Sequence, residues 1–179
     1  FASSLHKWLG APKATGMLYV RRNKISKLMP LSYESGVPAD DMAKFELGGD
    51  DYGTFLAIGD ALAFHDRIGP KRKEARLRYM TQYWVQRLQA LPNIHFYTSL
   101  KQDMSCAIVT VHLDGIASRS IYEYLWDKHH IMTAGFNLKG INGLRMSPAT
   151  YVTLKQLDYF CEVIESVAAN GLPEPYRSM

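Results

Sequence analysis

Leu77, Met80, Trp84, Leu88 and Leu91 recur at spacings of three and four, which on a 3.6-residue helix draws one apolar stripe running from Lys71 to Pro92-Asn93. A stripe of that length has to be covered, so it commits the chain to a packed layer of other elements. The following residues supply them. His95 to Ser99 and Ser105 to Leu113, the second rich in Val, Ile and Thr, read as strands joined through a turn at Lys101 to Asp103. Ser118 to Lys128 reads as a helix, and Ile131 to Ala134 and Leu144 to Ser147 as short strands. Thr153 to Ala168 is a last helix, opened by a Thr153–Gln156 capping box ahead of Leu157, Phe160, Ile164 and Val167. Helices alternating with hairpin-like strands argue α+β for this part.

Upstream, Thr54 introduces a helix from Phe55 to Arg67 that Gly69-Pro70 ends. Thr54 reads as its N-cap, and a helix N-terminus also attracts anions, so a cap and a phosphate contact can coexist there. Pro30 to Asp51 reads as a long loop rich in Gly, Pro, Ser and Asp, of a kind that is often functional. A domain boundary therefore falls near Gly69, giving residues 1–68 and 69–179. With 179 residues, 47% of them hydrophobic, the chain can build one sizeable core or two small ones. No apolar run approaches the roughly 20 residues needed to span a bilayer, so the expected setting is cytoplasmic and away from membranes.

Several classes of function are disfavoured. Cys106 and Cys161 are the only cysteines and read as buried free thiols, not as a disulfide framework. The net charge is +4. Lys71, Arg72, Lys73, Arg76 and Arg78 lack interleaved aromatics suited to stacking on bases, and read as the solvated face of the long helix instead of a nucleic-acid footprint. His129 and His130 are adjacent, and adjacent helical side chains do not face one metal ion. Asp50-Asp51 has no further carboxylates at ligand spacing and reads as a solvated loop.

The chemistry lies at the start of the chain. In Ser4-Leu-His-Lys-Trp-Leu-Gly-Ala-Pro-Lys13, a strand through Leu5 would alternate its faces and point Ser4 and His6 to the same side. A hydroxyl and an imidazole there can hold one phosphate, and the amine of Lys7 can then reach an aldehyde several bonds away. Pyridoxal 5'-phosphate has that layout. A lysine must be desolvated, or sit beside another cation, before it forms an imine. Trp8 and Leu9 offer apolar walls, and Gly10, Pro12 and Gly16 let the backbone turn tightly. The competing reading is a surface lysine in a loop. Arg145 likewise has two readings. It can pair with any of several carboxylates of the protein, or its planar fork can hold the carboxylate of an amino-acid substrate.

Four segments in register, Ser4 to Arg22, Gly53-Thr54, Phe64 to Tyr79 and Gly143 to Thr153, give the chain a further character. It resembles the class V aminotransferases, pyridoxal-phosphate enzymes, and among them the branch of isopenicillin N epimerase. Ala14 departs from the pattern, standing where many members carry a glycine. The resemblance implies an α/β chain of the PLP-dependent transferase fold (fold type I). Residues 1–68 would be the C-terminal part of the large PLP-binding domain, and 69–179 the small C-terminal α+β domain.

The resemblance also implies roles. Lys7 would form the Schiff base with the cofactor, Ser4 and His6 would hold its phosphate, and Thr54 would reach the phosphate of the neighbouring subunit in a homodimer. Arg145 would hold the substrate carboxylate. No metal is implied. The family's aspartate on the pyridine nitrogen, its ring-stacking residue and its phosphate-cradling turn belong to a first half that does not precede Phe1. The chain therefore reads as a C-terminal fragment that needs the N-terminal half of the same enzyme and is inactive alone. Epimerase, transaminase and lyase chemistry all stay open. Desulfuration through a persulfide is disfavoured, because His129 to Asn142 contains no cysteine. A cofactor-free interaction domain that keeps the fold without catalysis is the alternative.

Overall fold

The computed structural model describes residues 1–32, 36–46 and 51–178. They divide into two units, Phe1–Gly69 and Pro70–Met179. The first opens with two short antiparallel strands, β1 (Ala2–Ser4) and β2 (Gly16–Leu18), in which Ser4 pairs with Gly16. A short helix α1 (Arg22–Ile25) follows, then a 3-10 helix at Met42–Phe45. Lys44 is buried, and its ammonium donates to the carbonyls of Ile25, Leu28 and Ala39 at 2.6, 2.8 and 2.5 Å. Three donors meet three acceptors, which is what a buried ammonium requires. This one side chain thus ties the loop expected at Pro30 to Asp51 back to α1.

Helix α2 (Tyr52–Ile68) buries none of its residues, and Leu56 and Phe64 stand 79% and 63% exposed. The sequence places its cap at Thr54, but the cap is Asp51, whose carboxylate accepts from the amides of Gly53 and Thr54. Aspartate caps a helix at least as well as threonine, so the earlier of the two starts the helix. Asp50 lies outside the described residues.

The second unit contains α3 (Pro70–Leu88), β3 (Ile94–Phe96), β4 (Val109–Leu113), α4 (Ser118–His129), β5 (Ala134–Leu138), β6 (Ile141–Met146) and α5 (Leu154–Asn170). The strands form one antiparallel sheet in the order β3-β4-β6-β5. The stripe of α3 is buried as its spacing demands, with Met80, Trp84 and Leu88 wholly enclosed. Leu157, Phe160, Ile164 and Val167 of α5 meet it, Trp84 and Phe160 edge to face at 5.7 Å. Val109, Val111 and Leu113 of β4 and Leu144 and Met146 of β6 complete the core. Burying each such side chain contributes about 1.5–3 kcal/mol. The Thr153–Gln156 capping box is formed in both directions.

The structure corrects three local expectations. β5 is not Ile131 to Ala134 but begins at Ala134, and it joins β6 through a two-residue turn, Lys139 (φ 51°) and Gly140 (φ 83°). Paired left-handed residues match the twist of the strands they connect, so this turn closes a tight hairpin. β4 starts at Val109, not Ser105. The preceding loop is held by Arg78, which donates to the carbonyls of Gln102 and Ser105. Arg76 donates to the Val152 carbonyl. Part of the basic cluster is therefore a set of loop clamps, not a solvated face.

Both cysteines are free, and burial pushes the Cys161 thiol up to about 12. Among the described residues no helix is long and apolar enough to cross a membrane.

Arg87 of α3 grips Glu165 of α5 with two parallel bonds of 2.6 and 2.7 Å, and Tyr83 donates to Asp158 at 2.7 Å. The Arg87 guanidinium holds the Glu165 carboxyl below its ordinary value near 4.5. A carboxyl depressed by folding stabilises the fold above its ordinary value, and that increment is lost as pH falls through the folded value. Urea unfolding of Arg87→Met at neutral pH should show a loss of about 1 kcal/mol, small because the pair is partly exposed. The variant should also lose less stability than the parent between pH 5 and pH 3.

Candidate functional site

The strand β1 ends at Ser4, and His6 to Leu9 form a turn. Alternation along a strand therefore does not align Ser4 with His6, because the strand ends before the histidine. Leu5 donates its amide to the Thr15 carbonyl and Ala11 to the Leu5 carbonyl, at 3.0 and 3.1 Å. The Thr15 hydroxyl, in a residue only 2% exposed, donates to the Pro12 carbonyl at 2.7 Å. These bonds fold residues 5 to 15 into a closed loop whose outer rim carries His6 and Lys7.

His6 Nδ1 lies 3.3 Å from the Thr15 carbonyl. A carbonyl only accepts, so Nδ1 carries the proton and Nε2 is the nitrogen left for a ligand. Toward an anion it donates only from the doubly protonated ring. The Ser4 hydroxyl and the Lys7 amine make no hydrogen bond or ion pair among the described residues. Lys7 is exposed and Trp8 is 40% exposed. The apolar walls expected from Trp8 and Leu9 therefore do not close over the lysine within this unit.

Thr54 sits in the first turn of α2, with its amide and its hydroxyl both donated to the Asp51 carboxylate. Those two bonds, with the Gly53 amide, hold the Asp51 carboxyl below the ordinary range. Thr54 makes no hydrogen bond to the N-terminal turn among the described residues.

In the second unit Arg145 lies on β6, between Thr110 of β4 and Ala134 of β5 in register. Its Nε is buried with no hydrogen-bond partner, and its Cζ stands 4.8 Å from the centre of the Phe136 ring. Among the described residues no carboxylate pairs with it, which favours the reading of Arg145 as a ligand anchor over that of an internal ion pair. Two concavities meet at this side chain. One of about 590 Å³ is lined by His129, Thr133, Ser147 and Tyr159 among others, and one of about 300 Å³ by Thr110, Phe136, Leu138, Lys139 and Ile141. The His129 ring is held by the Tyr159 hydroxyl at 2.7 Å, and burial, then the neighbouring His130, pushes its pKa down. The sequence reading gives Phe136 no role. Its signal is the alternation of Phe136 and Leu138 before Lys139-Gly140, which a strand boundary drawn at Ala134 hides.

The family model for Aminotransferase class-V matches residues 1–160. The chain belongs to the class-V aminotransferase family. It is 28% identical over 144 residues to a probable cysteine desulfurase of Ureaplasma parvum, covering 75% of this chain and 35% of that protein. With the isopenicillin N epimerase of Streptomyces clavuligerus it shares 25% over 185 residues, covering 93% and 46%. Among solved structures, the apo cysteine desulfurase of Thermococcus onnurineus NA1 superposes with a TM-score of 0.79 at 23% identity, covering 96% of this chain and 47% of that one. A C-DES variant with glycine covalently linked to its PLP cofactor gives 0.72 at 16%, covering 90% and 44%. The fold is thus that of the PLP-dependent enzymes, α/β with an α+β C-terminal part. The class-V chain spans less than half the length of these relatives.

The Ser4 hydroxyl, the His6 Nε2 and the Lys7 amine of this class-V chain, unpaired among the described residues, are groups whose chemistry fits a phosphate and an aldehyde. The backbone beneath them is strained at one place. Ala14 has φ 67°, a left-handed conformation that costs an L-residue roughly 1–2 kcal/mol and glycine almost nothing. Ala14→Gly should stabilise the fold by roughly 0.5–1 kcal/mol once the looser unfolded chain is counted, seen as a higher unfolding midpoint. It should also slow hydrogen exchange at the Leu5 and Ala11 amides.

Proposed function

We propose that this chain is the lysine-bearing C-terminal portion of a PLP-dependent enzyme acting on an amino acid. It would work in the cytoplasm as a homodimer, together with the N-terminal half of the same polypeptide. The observation that carries the reading is the unpaired Lys7 amine beside Ser4 and His6 on a hydrogen-bonded turn, in a chain of the class-V family. Tyr52, Leu56 and Phe64 of α2 stand exposed, which supports a need for further protein surface to cover them.

Lys7 Nζ would be the covalent attachment point, Ser4 Oγ and His6 Nε2 would hold the phosphate, and Thr54 would reach the phosphate of the partner subunit. Bound there, pyridoxal phosphate supplies an electron sink for the substrate Cα. The Lys7 amine would be the group that removes or returns the proton at that carbon, as base in one direction and acid in the other. Arg145 fixes the substrate carboxylate through two parallel N–H bonds and so decides which bond at Cα stands open to reaction. Closing of apolar surface over Lys7 by the rest of the protein would exclude water and favour its neutral amine.

These residues are common to epimerase, transaminase and lyase chemistry. Persulfide desulfuration is not carried over from the desulfurase relatives, because residues 129–142 fold here as a helix end and a hairpin without a cysteine. A cofactor-free interaction domain is the second reading, favoured by the exposure of Lys7 and by Asp51 holding the donors of Thr54.

Full-length protein incubated with pyridoxal phosphate should absorb in the visible. Borohydride should bleach it and leave a stable adduct, which peptide mass spectrometry should find on Lys7. Lys7→Ala should lose both the colour and the adduct. A colourless wild-type protein leaves the interaction domain, and an adduct on another lysine overturns the role of Lys7.

A further inference from the structure

We propose that Phe136 is a positioning residue for carboxylate recognition, an aromatic shelf that orients the Arg145 guanidinium. The inference rests on the reading of Arg145 as the substrate anchor. An arginine that must meet a ligand has to be held in place, because its long side chain otherwise samples many rotamers. The usual holder is a carboxylate, which occupies the N–H donors and neutralises the cation. Arg145 has no such holder among the described residues, and its buried Nε is unpaired.

What it has is the ring of Phe136, 4.8 Å from Cζ. The face of an aromatic ring attracts a guanidinium without taking an N–H donor. The ring takes none of the fork's N–H donors, and the positive charge stays whole. Register explains how the two meet. Ala134 pairs with Arg145 and Phe136 with Gly143, so Phe136 is the diagonal neighbour of Arg145 on the same face of the sheet. Gly143 contributes no side chain to push the ring away. A Cβ there would come within 2.6 Å of Thr110 Cγ2 and 3.2 Å of Tyr97 Cδ2, so the position is closed to larger residues. Leu138 and Ile141 continue the apolar floor of the 300 Å³ groove. Such a floor lowers the local dielectric and strengthens both the cation–ring pair and the bond to a carboxylate.

The test separates the shelf from the anchor. Full-length apoprotein is titrated calorimetrically with two stable probes, phosphopyridoxyl-L-alanine and phosphopyridoxyl-ethylamine, which differ only in the carboxylate. Phe136→Leu keeps an apolar side chain but removes the ring face. It should weaken the alanine probe about five- to tenfold, the size of a partly desolvated cation–π pair, and leave the ethylamine probe unchanged. Phe136→Trp should restore the alanine probe, and Phe136→Ile serves in place of the leucine variant should that one fail to fold. Arg145→Met should abolish the preference for the carboxylate altogether. Equal weakening of both probes by Phe136→Leu, or no weakening of either while Arg145→Met still removes the preference, overturns the shelf and leaves the anchor. If Arg145→Met keeps the preference, the anchor itself is wrong and the shelf falls with it.

Discussion

The alternation of side chains across the four-stranded sheet decides where chemistry can occur in the second unit. One face is sealed by Trp84 and Phe160, together with Val109, Val111, Leu144 and Met146. Once those residues point inward, a period of two forces Thr110, His112, Gly143, Arg145 and Phe136 to the other side. A slip of one residue would drive Arg145 into the core, where an unpaired guanidinium would cost several kcal/mol. The packing that holds the unit together therefore also fixes the register of its cationic side chain. Gly135 shows how tight this is, because a Cβ there would lie 2.7 Å from the Ser118 carbonyl at the start of α4.

What was legible in the sequence follows from the range of each signal. The stripe of α3, the capping box of α5 and the Val/Thr alternation of β4 are local patterns whose meaning does not depend on partners, and they fold as their spacing demands. The β5–β6 hairpin was not legible as such. Its strands are short, its inward positions include Gly135 and Asn142, and a Lys-Gly turn is a weaker signal than Asn-Gly. Asn142 is satisfied by distant groups, accepting from the Ser118 amide and donating to the Ile116 carbonyl. Only tertiary structure could show that a polar residue belongs on the core side. Arg76 and Arg78 repeat the lesson, since their acceptors are carbonyls 76 and 27 residues further along the chain.

At the N-terminal turn the sequence named the residues but not the geometry. Ser4 closes β1, His6 and Lys7 follow on a loop closed by backbone bonds, and Ala14 takes the left-handed conformation that the loop's return requires. The site is also one-sided. Lys7 stands on an open rim, so in the proposed reading the surface that would desolvate it comes from a different part of the protein than the turn that carries it. That division is compatible with an active site assembled only when further chain closes over the turn.

Thr54 is the member of the proposed set where two anions want the same donors. The Asp51 carboxylate accepts from the amides of Gly53 and Thr54 and from the Thr54 hydroxyl, which are the groups a phosphate would use at a helix N-terminus. The Asp51 carboxylate already satisfies these donors as the helix cap. A phosphate that reached them would have to take the donors from Asp51 or sit beside it as a like charge. The contact at Thr54 is therefore a question of how many donors the phosphate collects from its other ligands. In the proposed set Ser4 and His6 would then be the deciding pair and Thr54 the dependent one.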